Sequence, residues 1–223
     1  MERAIVTRAD DNIKEMTEIT HPVIKKYADK CNAEFLILKH HNKLHPHYRI
    51  LQLFEILDNF DRVLMLDSDM LVLKSCENLF NIVPTDKIGV MFEDVGSRRD
   101  DRRNRMKKIQ SEREDVSWTE GYINTGCFLV SNCHKELFKD TTNLWMNLGY
   151  DDVELGYRIH KMKFEIYELS YVYNFMSMFT EPWAQFRKSD AKILHYAGNG
   201  FSRVPKLTQI KQDYLIFRKY GEI

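Results

Sequence analysis

Val63-Leu64-Met65-Leu66, followed at once by Asp67-Ser68-Asp69, constrains this chain more than any other stretch. Four apolar residues in succession read as a strand buried on both faces. Two carboxylates then sit at its carboxyl end. Such a strand needs cover on both sides, and the rest of the chain is built to supply it. Ala4-Ile5-Val6 reads as a first strand, with residues 7–12 as a polar turn. Residues 13–30 carry Ile13, Met16, Ile19, Val23, Ile24 and Tyr27 at helical spacing, with Pro22 as a break or kink. Residues 34–38 read as a second strand buried on both faces. A loop with His40, His41, His45 and His47 leads to a helix over residues 48–57. This alternation predicts an α/β fold with a single, mostly parallel central sheet flanked by helices. Ligands of such sheets bind outside the carboxyl ends of the strands, where Asp67 and Asp69 fall.

Further along, residues 71–73 and 88–92 read as strands and 78–81 as a short helix. Residues 97–115 hold eight Lys/Arg and five Asp/Glu with almost nothing apolar. They read as a solvated helix or mobile charged loop, or as a lid that orders over a substrate. Residues 122–130 predict a strand entered through an Asn124-Thr125-Gly126 turn. Residues 134–146 and 151–162 predict helices, and 164–169 a strand. Residues 170–190 are irregular and aromatic. Residues 193–196 form a short strand before Ala197-Gly198-Asn199-Gly200, and an amphipathic helix follows. No linker divides the 223 residues, so one domain over 1–223 is expected.

Composition excludes several classes. Lys+Arg and Asp+Glu both number 33, which argues against a nucleic-acid partner. No run is apolar and long enough for a membrane span, and the start lacks the apolar region of a signal peptide. The basic stretch 98–108 could still touch an anionic surface. Four cysteines show no CxxC spacing, so zinc and structural disulfides are not expected and a cytoplasmic location is.

Four constellations carry chemistry. Asp67 and Asp69 can converge on a hard divalent cation such as Mg²⁺ or Mn²⁺. Their plain alternative is a polar turn. His195, at a second strand end, offers an imidazole that suits Mn²⁺; alone it reads as a hydrogen-bonded structural histidine. The glycines after it, Gly198 among them, let backbone N–H groups approach a phosphate. Asp151 and Asp152 read either as helix caps or as carboxylates facing a reacting sugar. Asn124-Thr125-Gly126 reads as a tight turn that leaves room for a ligand.

In this order the motifs resemble a GT-A glycosyltransferase of family eight, the glycogenin and lipopolysaccharide-galactosyltransferase group. Residues 60–72, 122–130, 151–155 and 195–198 carry the resemblance, which spans residues 3–200. It implies transfer of a sugar, with retention, from a nucleoside-diphosphate donor (a UDP-sugar) to a glycan or glycoconjugate hydroxyl. It implies Mn²⁺, or Mg²⁺, held on the diphosphate by Asp67, Asp69 and His195. Thr7 and Arg8 would border the nucleoside and Ser68 the donor. Asn124 and Thr125 would lie beside the transferred sugar, and Gly198 near the phosphates. Asp151 and Asp152 would act on the sugar as the catalytic pair; an inverting enzyme would use Asp152 as base. The sequence departs from the family in places. Asp152 replaces a usual Gln or Glu, and Gly156 an Asn. The basic residue expected near Ile50 has Arg49 beside it. The one expected after His-x-x-Gly has Arg203 and Lys206 as substitutes.

Three other classes share parts of this pattern. A haloacid-dehalogenase-type Mg²⁺ phosphatase also places a DxD after an apolar strand, but wants Thr or Val where Leu71 stands. A nucleotidyltransferase wants glycine in residues 7–12, which have none. A non-catalytic sugar-binding protein on the same fold would have little reason to keep a cluster of metal-ligating carboxylates.

Overall fold

The computed structural model describes residues 1–39 and 45–223. His40 and His41 of the predicted histidine-rich loop lie outside the described residues. The strands are β1 (Arg3–Arg8), β2 (Glu34–Leu38), β3 (Arg62–Leu66), β4 (Met70–Val72), β5 (Ile88–Phe92), β6 (Ile123–Ser131), β7 (Ile166–Glu168) and β8 (Ile193–His195). The helices are α1 (Lys14–Lys30), α2 (Leu53–Ile56), α3 (Leu79–Ile82), α4 (Arg99–Glu112), α5 (Tyr150–Met162) and α6 (Lys206–Lys219). Six strands form one sheet in the order β2-β1-β3-β6-β5-β7, in which β6 alone runs against its neighbours. β4 and β8 pair antiparallel in a second, small sheet. This is the mostly parallel α/β architecture the alternation predicts.

Alternation along the strands sorts the side chains onto two faces. Ile5, Leu64, Leu66 and Leu129 pack on α1, the small sheet and the aromatic stretch after β7. Ala4, Val6, Val63, Met65 and Phe128 pack on α2 and α5. Every residue of β3 and β6 is buried. β2 departs from expectation: Glu34 and Ile37 are exposed and only Leu38 is fully buried. It is an edge strand, paired with β1 alone, so one side meets solvent.

Other local expectations are corrected. Thr7 and Arg8 are not in a turn; β1 continues through them by pairing with Ile37 and Leu38. Pro22 does not end α1, because Val23, Ile24, Tyr27 and Ala28 anchor the helix against the sheet on its far side. Residues 48–57 are not one regular helix: a 3-10 helix over Pro46–Gln52 runs into the single turn of α2. Asn124-Thr125-Gly126 lies within β6 rather than in a turn before it. Residues 134–146 are not a long helix; a 3-10 turn, Asn132–Phe138, gives way to irregular chain. Arg158 takes the carbonyls of Leu137 (3.0 Å) and Lys139 (2.7 Å) that a helix would have used.

The charged segment 97–115 forms α4. Met106 and Ile109 face inward, into a third apolar cluster with Trp118, Tyr122, Trp145, Val153 and Tyr157. That cluster explains one departure from the family pattern. The Trp118 ring lies against α5 at Gly156, where a Cβ would fall 2.4 Å from its Cη2. Gly156→Ala gains about 1 kcal/mol of helix propensity. Overpacking against a buried indole costs about 1–3 kcal/mol. We expect a net loss of about 1 kcal/mol, read as a lower urea midpoint at unchanged m; an unchanged or higher midpoint would contradict this packing.

Candidate active site

The carboxyl end of β3 is where the candidate residues meet. Asp67 follows the strand directly, its N–H donating to the Gly126 carbonyl on β6 at 2.8 Å. Asp69 precedes β4, whose register pairs Met70 with His195. One oxygen each of Asp67 and Asp69 and a ring nitrogen of His195 lie within 4.8 Å of one another. His195 Nε2 is 3.3 Å from Asp69 Oδ1 and 3.7 Å from Asp67 Oδ2. Gly126 forms the floor. A Cβ there would come 2.6 Å from His195 Cε1 and 3.0 Å from Asp67 Oδ2, so no side chain fits. Two carboxylate oxygens and an imidazole nitrogen form a donor set that suits a divalent ion such as Mn²⁺. The residues therefore fit the metal that the motifs imply.

Cations surround this cluster. Arg8, from the end of β1, places its guanidinium between Asp67 and Asp151, with Nε 3.1 Å from Asp67 Oδ1 and Nη1 bonded to Asp151. Lys206 Nζ is 2.7 Å from Asp69 Oδ2. Burial alone would raise the Asp69 carboxyl, but His195 and Lys206 outweigh it and hold it well below the usual range. Burial would likewise disfavour charge on His195, but Asp69 and Asp67 raise it. Arg203 is exposed. Ile50 is fully buried in the apolar cluster beneath α2, and Arg49 pairs with Asp10 at 2.8 Å. The site's guanidinium on this side thus comes from β1.

The paired aspartates begin α5. Asp151 receives Arg8, His47 Nδ1 (3.1 Å) and Thr125 Oγ1 (2.9 Å). These outweigh burial and hold it below the usual carboxylate range. Asp152 Oδ1 accepts from the Thr125 N–H at 2.8 Å and shares the Thr125 hydroxyl with Asp151, Oγ1 lying 2.8 Å away. Burial, then the charges of Asp151 and Glu93, push Asp152 up. The pair is therefore driven apart, one carboxylate firmly ionised and its neighbour toward the neutral acid.

The remaining candidates have other surroundings. Thr7 is fully buried, its Oγ1 2.9 Å from Ser68 Oγ; Ser68 donates on to the Arg8 carbonyl. Both prop the Asp67-Ser68-Asp69 turn from below, with Thr20 donating to the Ser68 carbonyl at 2.7 Å. Asn124 is nearly buried, and its amide meets Glu93, Gly126 and Asn174. Gly198 has φ +60°, and a Cβ there would meet nothing within 4 Å. In the aromatic stretch, Phe175 and Phe179 are buried, whereas Trp183 is exposed beside Gly96. Sequence reasoning missed Glu93, Asn174 and His47. Asn174 left a signal: it is the lone amide in Tyr171-Val172-Tyr173-Asn174-Phe175-Met176, and an amide buried among apolar groups needs partners.

Over Asp67 and Asp69 opens a cleft of about 260 Å³ lined also by Arg8, Asp10, Ile13 and Lys206, among others. The profile described as "Glycosyl transferase family 8" matches residues 2–200. The chain belongs to that family and is a glycosyltransferase. Its fold is GT-A, as solved structures confirm. A glycosyltransferase involved in glycosylation of the major capsid of PBCV-1 has a TM-score of 0.64 at 14% identity, covering 95% of this chain and 100% of its own. The galactosyltransferase LgtC, with donor and acceptor sugar analogues, has a TM-score of 0.62 at 17% identity, covering 96% and 94%. The glycosyltransferase GlyE of Streptococcus pneumoniae has a TM-score of 0.58 at 15% identity, covering 97% and 62%. No curated protein matches the sequence. Nothing in these comparisons supports the phosphatase or the non-catalytic reading. Among the described residues no helix is long and apolar enough to cross a membrane.

The Asp152 environment makes a stability prediction. Its folded state favours the protonated acid, so stability falls as pH rises from the ordinary carboxyl range toward neutrality. Asp152→Asn removes that loss. We expect the variant to exceed the parent by on the order of 1 kcal/mol near pH 8, with little difference near pH 4. Urea unfolding at both values checks this; a pH-independent difference would contradict it.

Proposed function

We propose that this protein transfers a hexosyl group, with retention, from a UDP-sugar to a glycan or glycoconjugate hydroxyl, with a divalent metal on the donor's diphosphate. The convergence of Asp67, Asp69 and His195 beside a cleft that Arg8 and Lys206 help to line is the observation that carries the reading. Mn²⁺, or Mg²⁺, held by these three side chains would offset charge on the departing diphosphate. Lys206 and Arg8 supply fixed positive charge at the same place, and the Gly198 turn leaves the approach to the phosphates open. Asp10 and Ile13 line the cleft with Arg8, and in this reading the nucleoside lies against them.

The aspartate pair supports retention. A displacement with inversion needs a carboxylate free to take the acceptor's proton. Asp151 is already engaged by Arg8, His47 and Thr125. Asp152 is driven toward its neutral form, which is no base and donates a hydrogen bond to a sugar hydroxyl. Asp151 then stands as the fixed negative charge beside the anomeric carbon. In this reading residues 1–223 act as one domain. Residues 97–115 border the site and are tied to it through Arg98 and Arg102 on Glu93. The cysteines are unpaired and three are buried, which suits a cytoplasmic location.

Asp69→Asn tests the metal and the activity together. Transfer from UDP-sugars should fall to background. The thermal shift that UDP produces only with Mn²⁺ should shrink, from roughly 2.7 kcal/mol of stabilisation at about 100 Kd in the parent toward zero. Undiminished transfer in the variant would remove the metal assignment. A parent stabilised by GDP or dTDP instead would reassign the nucleoside.

A further inference from the structure

Behind His195 runs a continuous line of buried polar groups, two of which, Asn174 and Glu93, lie outside the motifs. His195 Nδ1 is 2.7 Å from Asn174 Oδ1. Asn174 Nδ2 donates to Asn124 Oδ1 at 2.9 Å. Asn124 Nδ2 donates to Glu93 Oε2 at 3.2 Å. Glu93 is closed off by Arg102 (2.6 Å) and Arg98 (2.9 Å), the first from α4 and the second from the turn before it. Relative exposures are 3% for His195, 0% for Asn174, 7% for Asn124 and 2% for Glu93, so water does not compete for these bonds.

The direction of every bond in the line is decided by groups whose role is fixed. The backbone N–H of Gly126 donates to Asn124 Oδ1 at 3.1 Å, and a backbone N–H can only donate. Glu93, held between two guanidinium groups, is an acceptor. Asn124 is therefore oriented from both ends, oxygen toward Gly126 and nitrogen toward Glu93. Its oxygen faces Asn174, so Asn174 presents its nitrogen there and its oxygen to His195. A carbonyl oxygen can only accept, so His195 Nδ1 carries a proton. The ring is also held in place. His195 N–H donates to the Phe175 carbonyl and Phe175 N–H to the Ile193 carbonyl, both at 2.9 Å, which fixes Asn174 beside β8.

We propose that Asn174 and Asn124 form a positioning relay that keeps the His195 proton on Nδ1 and so presents Nε2 to Asp67 and Asp69 as the metal nitrogen. The statement about the metal rests on the function proposed above; the statement about the proton does not. The relay also gives α4 a use: Arg102 neutralises Glu93, whose carboxylate sets the polarity of the whole line. Outer partners of this kind fix the tautomer of ligating histidines, and their loss costs about 10- to 100-fold in metal affinity.

Two readouts test it. In metal-free ¹⁵N-labelled protein, NMR should show a slowly exchanging proton on His195 Nδ1. In Asn174→Leu, close in volume but without an acceptor, that proton should exchange rapidly. Mn²⁺ affinity, measured from the free-ion EPR signal, should fall about 10- to 100-fold with the circular dichroism spectrum unchanged. An unprotonated or rapidly exchanging Nδ1 in the parent overturns the relay whether or not Mn²⁺ binds, and this needs no variant to fold. Unchanged Mn²⁺ affinity in a folded Asn174→Leu also overturns it. A parent that binds no Mn²⁺ yet protects the Nδ1 proton supports the relay and defeats the metal reading alone.

Discussion

Carboxylates crowded at one end of a buried sheet set the terms for the rest of this structure. Asp67, Asp69, Asp151, Asp152 and Glu93 all approach the space between β3, β6 and the start of α5. Mutual repulsion in a poorly solvated region would disperse them without compensating charge. The fold answers with side chains from distant parts of the chain: Arg8 from β1, Arg98 and Arg102 at the start of α4, His195 from β8, and Lys206 from α6. Arg8 bridges Asp67 and Asp151, His195 lies between Asp67 and Asp69, Lys206 takes Asp69 Oδ2, and Arg98 and Arg102 share Glu93 Oε1. What is left between Asp67, Asp69 and His195 is a position that a divalent ion can fill, floored by a glycine.

The sequence revealed the acidic half of this arrangement more readily than the basic half. Val63–Leu66 is a buried strand because its run is uninterrupted, and Asp67 and Asp69 follow from where it ends. His195 and the Asp151-Asp152 pair were legible because each stands at the end of an element whose pattern is plain. Arg8 was legible only as a neighbour of the nucleoside. Its bridging of Asp67 and Asp151 depends on β1 extending farther than its apolar core and on the guanidinium turning across the sheet end. The relay through Asn124 and Asn174 was not legible at all, since hydrogen bonds between residues 50 apart leave no periodic trace.

Two of the errors in local structure have a common origin. Thr7-Arg8 and Asn124-Thr125-Gly126 look like turns because polar residues and glycine favour turns in isolation. Both are strand here, since the site needs polar side chains on an extended backbone within reach of one another. Gly126 is selected for what it lacks: a side chain would occupy the space of His195 and Asp67. Likewise α4 is nearly all charge, yet it packs. Two inward apolar residues suffice when arginines on the same side reach Glu93 and Asp94.

Diffraction at the manganese edge from crystals grown with Mn²⁺ and UDP tests the central claim most directly. One anomalous peak contacted by Asp67, Asp69 and His195 Nε2, with the diphosphate on its open side and Lys206 turned to a phosphate oxygen, is the predicted result. A peak elsewhere, or UDP bound in the cleft with no metal beside these three residues, would contradict it.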